Sequence, residues 1–155
     1  LNLKATYTVG DLVSRERFPI TPEYVDGMNQ VYEFLIRRNQ GNDVRVSIVS
    51  FVTNPLDPTG DPMVEMDCSI ATGDMKAHSD AEPFSNNLPT LTLGDQLIVV
   101  ETQMTWAPPF SFGLERVGLD QQEFGNFVFT SPRYRGEMCC DLNSNDTCDE
   151  DEVGT

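Results

Sequence analysis

The chain has 155 residues, 39% hydrophobic and 23% charged, which suits one domain with a core and argues against wholesale disorder. Ten Lys and Arg against 25 Asp and Glu leave a formal charge of −15, which excludes nucleic acid as a partner and disfavours an anionic membrane surface. The longest aliphatic run, Leu97-Ile98-Val99-Val100, falls far short of the roughly 20 apolar residues that span a bilayer.

The chain opens on Leu1 with no charged-then-apolar leader, as expected of a fragment or processed product whose targeting segment has been removed. In residues 1–17, Leu1, Ala5, Val9 and Leu12/Val13 recur at helical spacing, interrupted by the poor helix former Gly10. Phe18-Pro19 should end that helix. A second helix is better signalled. Thr21 is the cap, Pro22 suits the first position and Glu23 suits the dipole. Its stripe is Tyr24/Val25, Met28, Val31/Tyr32 and Leu35/Ile36, with Arg37 and Arg38 near the end and Gly41 as the expected stop.

The period then changes to two. Val44, Val46, Ile48 and Phe51/Val52 alternate with Arg45, Ser47 and Val49 in a strand that ends at Asn54-Pro55. The Pro/Gly/Asp turn from Asn54 to Pro62 leads to a hairpin partner over Met63–Ile70. Residues 71–93 lack periodicity and read as a long excursion with room for a short helix. Gly94-Asp95 opens a strong strand over Gln96–Trp106, stopped by Pro108-Pro109, and Phe124–Pro132 holds the last strand signal. The expected class is α+β, with an antiparallel sheet of about four strands packed on an N-terminal helix plus a second helix. The strand order is not legible.

Charge marks a boundary near Gly136. Every Lys and Arg lies at or before Arg135, whereas residues 136–155 hold seven acidic residues and no basic one. In this tail Asp141, Asn143, Asn145, Thr147 (through its carbonyl), Asp149 and Glu152 occupy positions 1, 3, 5, 7, 9 and 12 of a loop similar to an EF-hand-type calcium loop. Asp146 replaces the sharp-turn glycine, and only Val153-Gly154-Thr155 follow, too few for an exiting helix. The competing reading is a solvated acidic tail. Asn145-Asp146-Thr147 is also a glycosylation sequon.

Cys68, Cys139, Cys140 and Cys148 suit an oxidising compartment. A vicinal Cys139–Cys140 bridge is strained, which leaves two pairings; each ties Cys148 to one of the adjacent pair and Cys68 to the other. Either would staple the tail to the second strand and keep the loop closed. Zinc is the weaker alternative, because His78 is the one histidine and the cysteines lack paired Cys-x-x-Cys spacing.

Catalysis finds little support. His78 lies in the polar stretch Lys76-Ala77-His78-Ser79-Asp80 and is expected at the surface. Gly-x-Ser-x-Gly, His-Glu-x-x-His and Gly-rich phosphate loops are missing. Carboxylate pairs such as Asp57/Asp61 and Glu65/Asp67 are expected by chance among 25 acidic residues. Trp106, Phe110 and Phe112 read as aromatics closing a core, ahead of a contact surface for neighbouring subunits.

The stretch Leu93–Phe110 (Leu-Gly-Asp-Gln-Leu-Ile-Val-Val-Glu-Thr-Gln-Met-Thr-Trp-Ala-Pro-Pro-Phe) resembles the late segment of TadE/TadF/TadG-like minor pilins, or pseudopilins, of bacterial tight-adherence pili. The Asn126–Tyr134 strand with its Ser131-Pro-Arg-Tyr134 finish resembles the closing strand of that family. Lys4–Arg15 resembles the end of its long first helix, and Tyr24–Met28 and Asp43–Val49 also fit, so the resemblance covers most of residues 3–135.

It implies a pilin-like soluble domain over 1–135, anchored in the full-length protein by a membrane helix before Leu1 and facing the periplasm or the cell exterior. It also implies a non-enzymatic part in a type IV pilus, with other pilus subunits as partners and no small-molecule substrate. The acidic, Cys-rich tail over 136–155 departs from the family pattern. The rival expectation is a secreted calcium-dependent adhesion or binding module unrelated to pili.

Overall fold

A computed structural model of the chain describes residues 1–37, 41–106, 122–134, 136–145 and 147–148. Two helices, α1 (Asn2–Ser14) and α2 (Pro22–Ile36), precede four strands: β1 (Asn42–Val52), β2 (Met63–Ala71), β3 (Gln96–Trp106) and β4 (Gln122–Thr130). All pairings are antiparallel, in the order β2-β1-β3-β4. The expected α+β class, with both helices and four strands, is therefore observed.

The helices form where local chemistry asks for them. Thr21 accepts a hydrogen bond from the Tyr24 N–H at 3.1 Å, and Pro22 occupies the first turn, where no N–H is needed. Two details differ from expectation. Gly10 does not interrupt α1; it is buried against β4, where an added Cβ would meet Val128 Cγ1 at 3.5 Å, an ordinary contact distance. Nor does Gly41 stop α2. Arg37 takes the left-handed cap itself (φ 59°), its N–H reaching the Glu33 and Phe34 carbonyls. Gly41, at φ +66°, serves instead the entry to β1, where Thr105 Cβ would stand 3.1 Å from any added Cβ.

Both faces of the sheet are covered. On one face Ala5, Val9 and Val13 of α1 and Val25, Tyr32 and Ile36 of α2 pack on Val44, Val46, Ile48, Ile98 and Val100. On the other face residues 72–93, with a single 3-10 turn at Glu82–Phe84, lay Ala81, Phe84, Leu88 and Leu91 over Val49, Phe51, Met66, Leu97 and Val99. The excursion is thus a third layer. A register shift opposite Ile48 and Val49 leaves Asp67 as an extra residue of β2, so Met66 joins the far face while Cys68 and Ile70 stay on the helix side; β1 itself is buried continuously through Val46–Val49. That run, matched by Leu97–Val100 of β3, marks β1 and β3 as the inner strands of a sheet covered on both sides.

The compositional boundary near Gly136 is not a break in packing. Met138 and Cys140, beyond it, are 3% exposed and belong to the helix-side core. Among the described residues no helix is long and apolar enough to cross a membrane.

Candidate functional site

The acidic C-terminal turn is built onto the domain by three devices. Residue 140 forms a parallel bridge with Ile20: the Ile20 N–H donates to the Cys139 carbonyl, and the Asp141 N–H donates to the Ile20 carbonyl, both at 2.9 Å. Gln96 acts as a substitute peptide group. Its amide accepts from the Met138 N–H (2.5 Å) and donates to the Met138 carbonyl (2.9 Å), and also to Asp67 (2.8 Å). Two disulfides then lock the segment, Cys68–Cys140 to β2 and Cys139–Cys148 across the turn. This is one of the two pairings left open by the cysteine spacing. All four thiols are consumed, so none remains to ligate zinc.

Of the six candidate calcium ligands, four are described. Asp141 is fully buried, and its Oδ1 accepts from the Asn145 N–H at 3.1 Å. Asn145 in turn accepts from the Thr147 N–H at 3.0 Å and from the Thr147 hydroxyl. The turn thus links Asp141, Asn145 and Thr147, with Asn143 exposed between them. Ser144 takes the left-handed conformation (φ 52°) and donates to Glu23 Oε2 at 2.7 Å. That hydrogen bond holds the exposed Glu23 carboxyl below its ordinary range, against a small opposing push from Asp141. Asp149, Glu152 and the glycine-replacing Asp146 lie outside the described residues. Among the described residues no three His, Cys, Asp or Glu side chains are grouped to hold a metal.

A second polar cluster lies on the opposite sheet face. Arg45 grips Glu101 with two 2.7 Å hydrogen bonds, Nε to Oε2 and Nη2 to Oε1, and its Nη1 donates to the Lys76 carbonyl, also at 2.7 Å. His78 Nε2 lies 2.8 Å from Glu101 Oε2; an ionised carboxylate can only accept, so Nε2 carries the proton. The His78 N–H donates to Ser69 Oγ (3.0 Å), and the ring meets Phe84 edge-on with centroids 5.0 Å apart.

The expectation of a surface His78 is corrected by this geometry. Its side chain is 16% exposed, because the excursion folds back over the sheet and the partly buried Glu101 draws it in. Burial raises the Glu101 pKa, but the Arg45 hydrogen bonds and charge, with His78, outweigh it and leave the carboxyl below its usual range. A carboxylate held this way is a poor proton shuttle and a good fastener. Its signal in the sequence was a glutamate directly after Leu97–Val100, which needs a cation on the neighbouring strand.

Other sequence candidates separate. Asp57 and Asp61 lie in the exposed turn between β1 and β2, and Gly60 there approaches the Asp57 carboxylate. Glu65 is exposed on β2, whereas Asp67 accepts from Ser50 and Gln96. Trp106 is partly buried at the end of β3, and Phe110 and Phe112 lie outside the described residues.

No protein-family model matches the chain, and no match is found among curated proteins or solved structures.

Proposed function

We propose that this chain is the extracytoplasmic head of a TadE-like minor pilin, a non-enzymatic subunit that contributes to pilus assembly or surface adhesion through protein contacts. The observation that carries the reading is the placement of α1. One face of that helix is buried on β3 and β4, while its first turn leaves Leu1 79% and Leu3 49% exposed. A helix so placed has room to continue outward without entering the core, as a pilin stalk requires. The two disulfides suit an oxidising, extracytoplasmic compartment. The test is photo-crosslinking of the full-length protein in its own cells from the exposed positions Tyr7 and Phe34. Adducts with pilus subunits support the reading; adducts confined to non-pilus proteins overturn it.

The rival, a calcium-dependent adhesion module, draws on the stapled turn at Asp141–Cys148, whose side chains are rich in oxygen. Calcium at about 100 times its dissociation constant would add about 2.7 kcal/mol to stability, because a ligand of the native state must raise the melting point. For a chain of this size that is a rise of roughly 5–10 °C, abolished by chelator and by Asp141→Asn. An unchanged midpoint removes calcium from the account and leaves the pilin reading untouched.

A further inference from the structure

We infer that the Cys139–Cys148 disulfide is a thiol-reducible clasp on the acidic turn, separable from the fold that the Cys68–Cys140 disulfide secures. The inference does not depend on the pilin reading. The two bridges share adjacent residues but stand in opposite surroundings. Cys68 and Cys140 are 7% and 3% exposed, inside the core cluster that contains Ile20, Ile70 and Met138. Cys139 is half-buried and Cys148 is exposed. The bridge to Ile20 makes the backbone extended at Cys140, and successive side chains of an extended chain point to opposite sides. One sulfur of the adjacent pair therefore faces the core and the other faces outward.

What holds the segment down does not run through the outer bridge. The Ile20 hydrogen bonds, the Gln96 amide and the Cys68–Cys140 link act at residues 138–141, and within the turn Leu142 packs on the core and Ser144 donates to Glu23. The outer bridge closes only the turn from 139 to 148, a sequence separation of 9. Opening it frees the oxygen-bearing residues Asn143, Asn145 and Thr147 from their ring and leaves the docking in place.

The chemistry is exchange with a dithiol, either a small molecule or a dithiol reductase. A thiolate of the dithiol attacks the accessible Cys148 Sγ; the Cys139–Cys148 bond breaks, its electron pair leaves on Cys139 Sγ, and water protonates that thiolate. The second thiol of the reductant loses its proton to solvent and attacks its own sulfur in the mixed disulfide, expelling Cys148 as a thiolate. One protein disulfide gains two electrons, and one dithiol becomes a disulfide. The inner bridge is shielded from the same attack until the core opens.

The experiment treats the full oxidised chain with limiting dithiothreitol, quenches aliquots with iodoacetamide and locates the label by peptide mass spectrometry. Cys139 and Cys148 are expected to be labelled together, about tenfold or more ahead of Cys68 and Cys140, as exposed bridges reduce before shielded ones. The partly reduced protein is expected to keep a single cooperative melt. Equal or inverted labelling rates overturn the proposal, and so does loss of the cooperative melt when the outer pair opens. The double variant Cys139→Ser/Cys148→Ser provides an independent check. It should fold with the Cys68–Cys140 bridge intact; misfolding or scrambling of that variant counts against a separable clasp.

Discussion

Replacing Cys68 and Cys140 together by Ala is expected to lower stability by about 4 kcal/mol, which for a chain of this size lowers the melting point by roughly 10 °C. The bridge joins residues 72 apart in sequence, so in the unfolded chain it removes the freedom of a long loop. The outer bridge closes a separation of only 9 and is worth about 3 kcal/mol by the same loop-entropy argument. The difference widens in practice, because Cys68 and Cys140 also fill the core beside Ile20 and Ile70, where smaller side chains leave a void. Calorimetry of the two double variants without reductant checks the ranking. An outer-pair variant less stable than the inner-pair variant would reverse it.

Glu101→Gln is expected to destabilise the protein by about 3 kcal/mol, because it leaves Arg45 and His78 facing an amide in a site only 14–18% exposed. The loss includes the cost of a cation stripped of its partner, so Arg45→Met/Glu101→Leu should recover part of it. The same carboxyl gives a pH signature. Its folded pKa lies below its unfolded value, near 4.3 for an ordinary glutamate, so its contribution is fully present above that value. The contribution is lost as pH falls through the lower, folded pKa. Denaturant melts of the wild type should therefore weaken from about pH 5 downward, and the Gln variant should show a shallower fall over the same range. Parallel slopes for the two proteins would show that Glu101 is not the titrating fastener.

How much of this was legible depends on which interactions are local. Thr21-Pro22 and the Gln96–Trp106 strand announce themselves because a cap and an uninterrupted β-branched and aliphatic run need only their own neighbours in sequence. The end of α2 misleads for a related reason: Gly41 tolerates the left-handed region, yet Arg37 is the residue that adopts it, since the Glu33 and Phe34 carbonyls need a donor there. His78 could not be placed from its polar neighbours, because Glu101, which recruits it, lies 23 residues away. The insertion of β1 between β2 and β3 is equally non-local. In the tail the ligand-like spacing and the cysteine pairings were visible. The role of Gln96 was not, because nothing in a single glutamine marks it as a stand-in for a peptide bond.

The contact between α1 and β4 bears on how the protein is made. Gly10 lies against Val128, and the Arg133 N–H donates to the Ser14 carbonyl, so the first helix is seated by the last strand and the residues just beyond it. The interior on the helix side cannot be completed until residues as far along as Val128 and Arg133 have been made. Closure by such distant segments is slow compared with helix formation. The Cys68–Cys140 bond waits on the same closure, because its two sulfurs, 72 residues apart in sequence, meet only when the segment beyond β4 has docked beside β2.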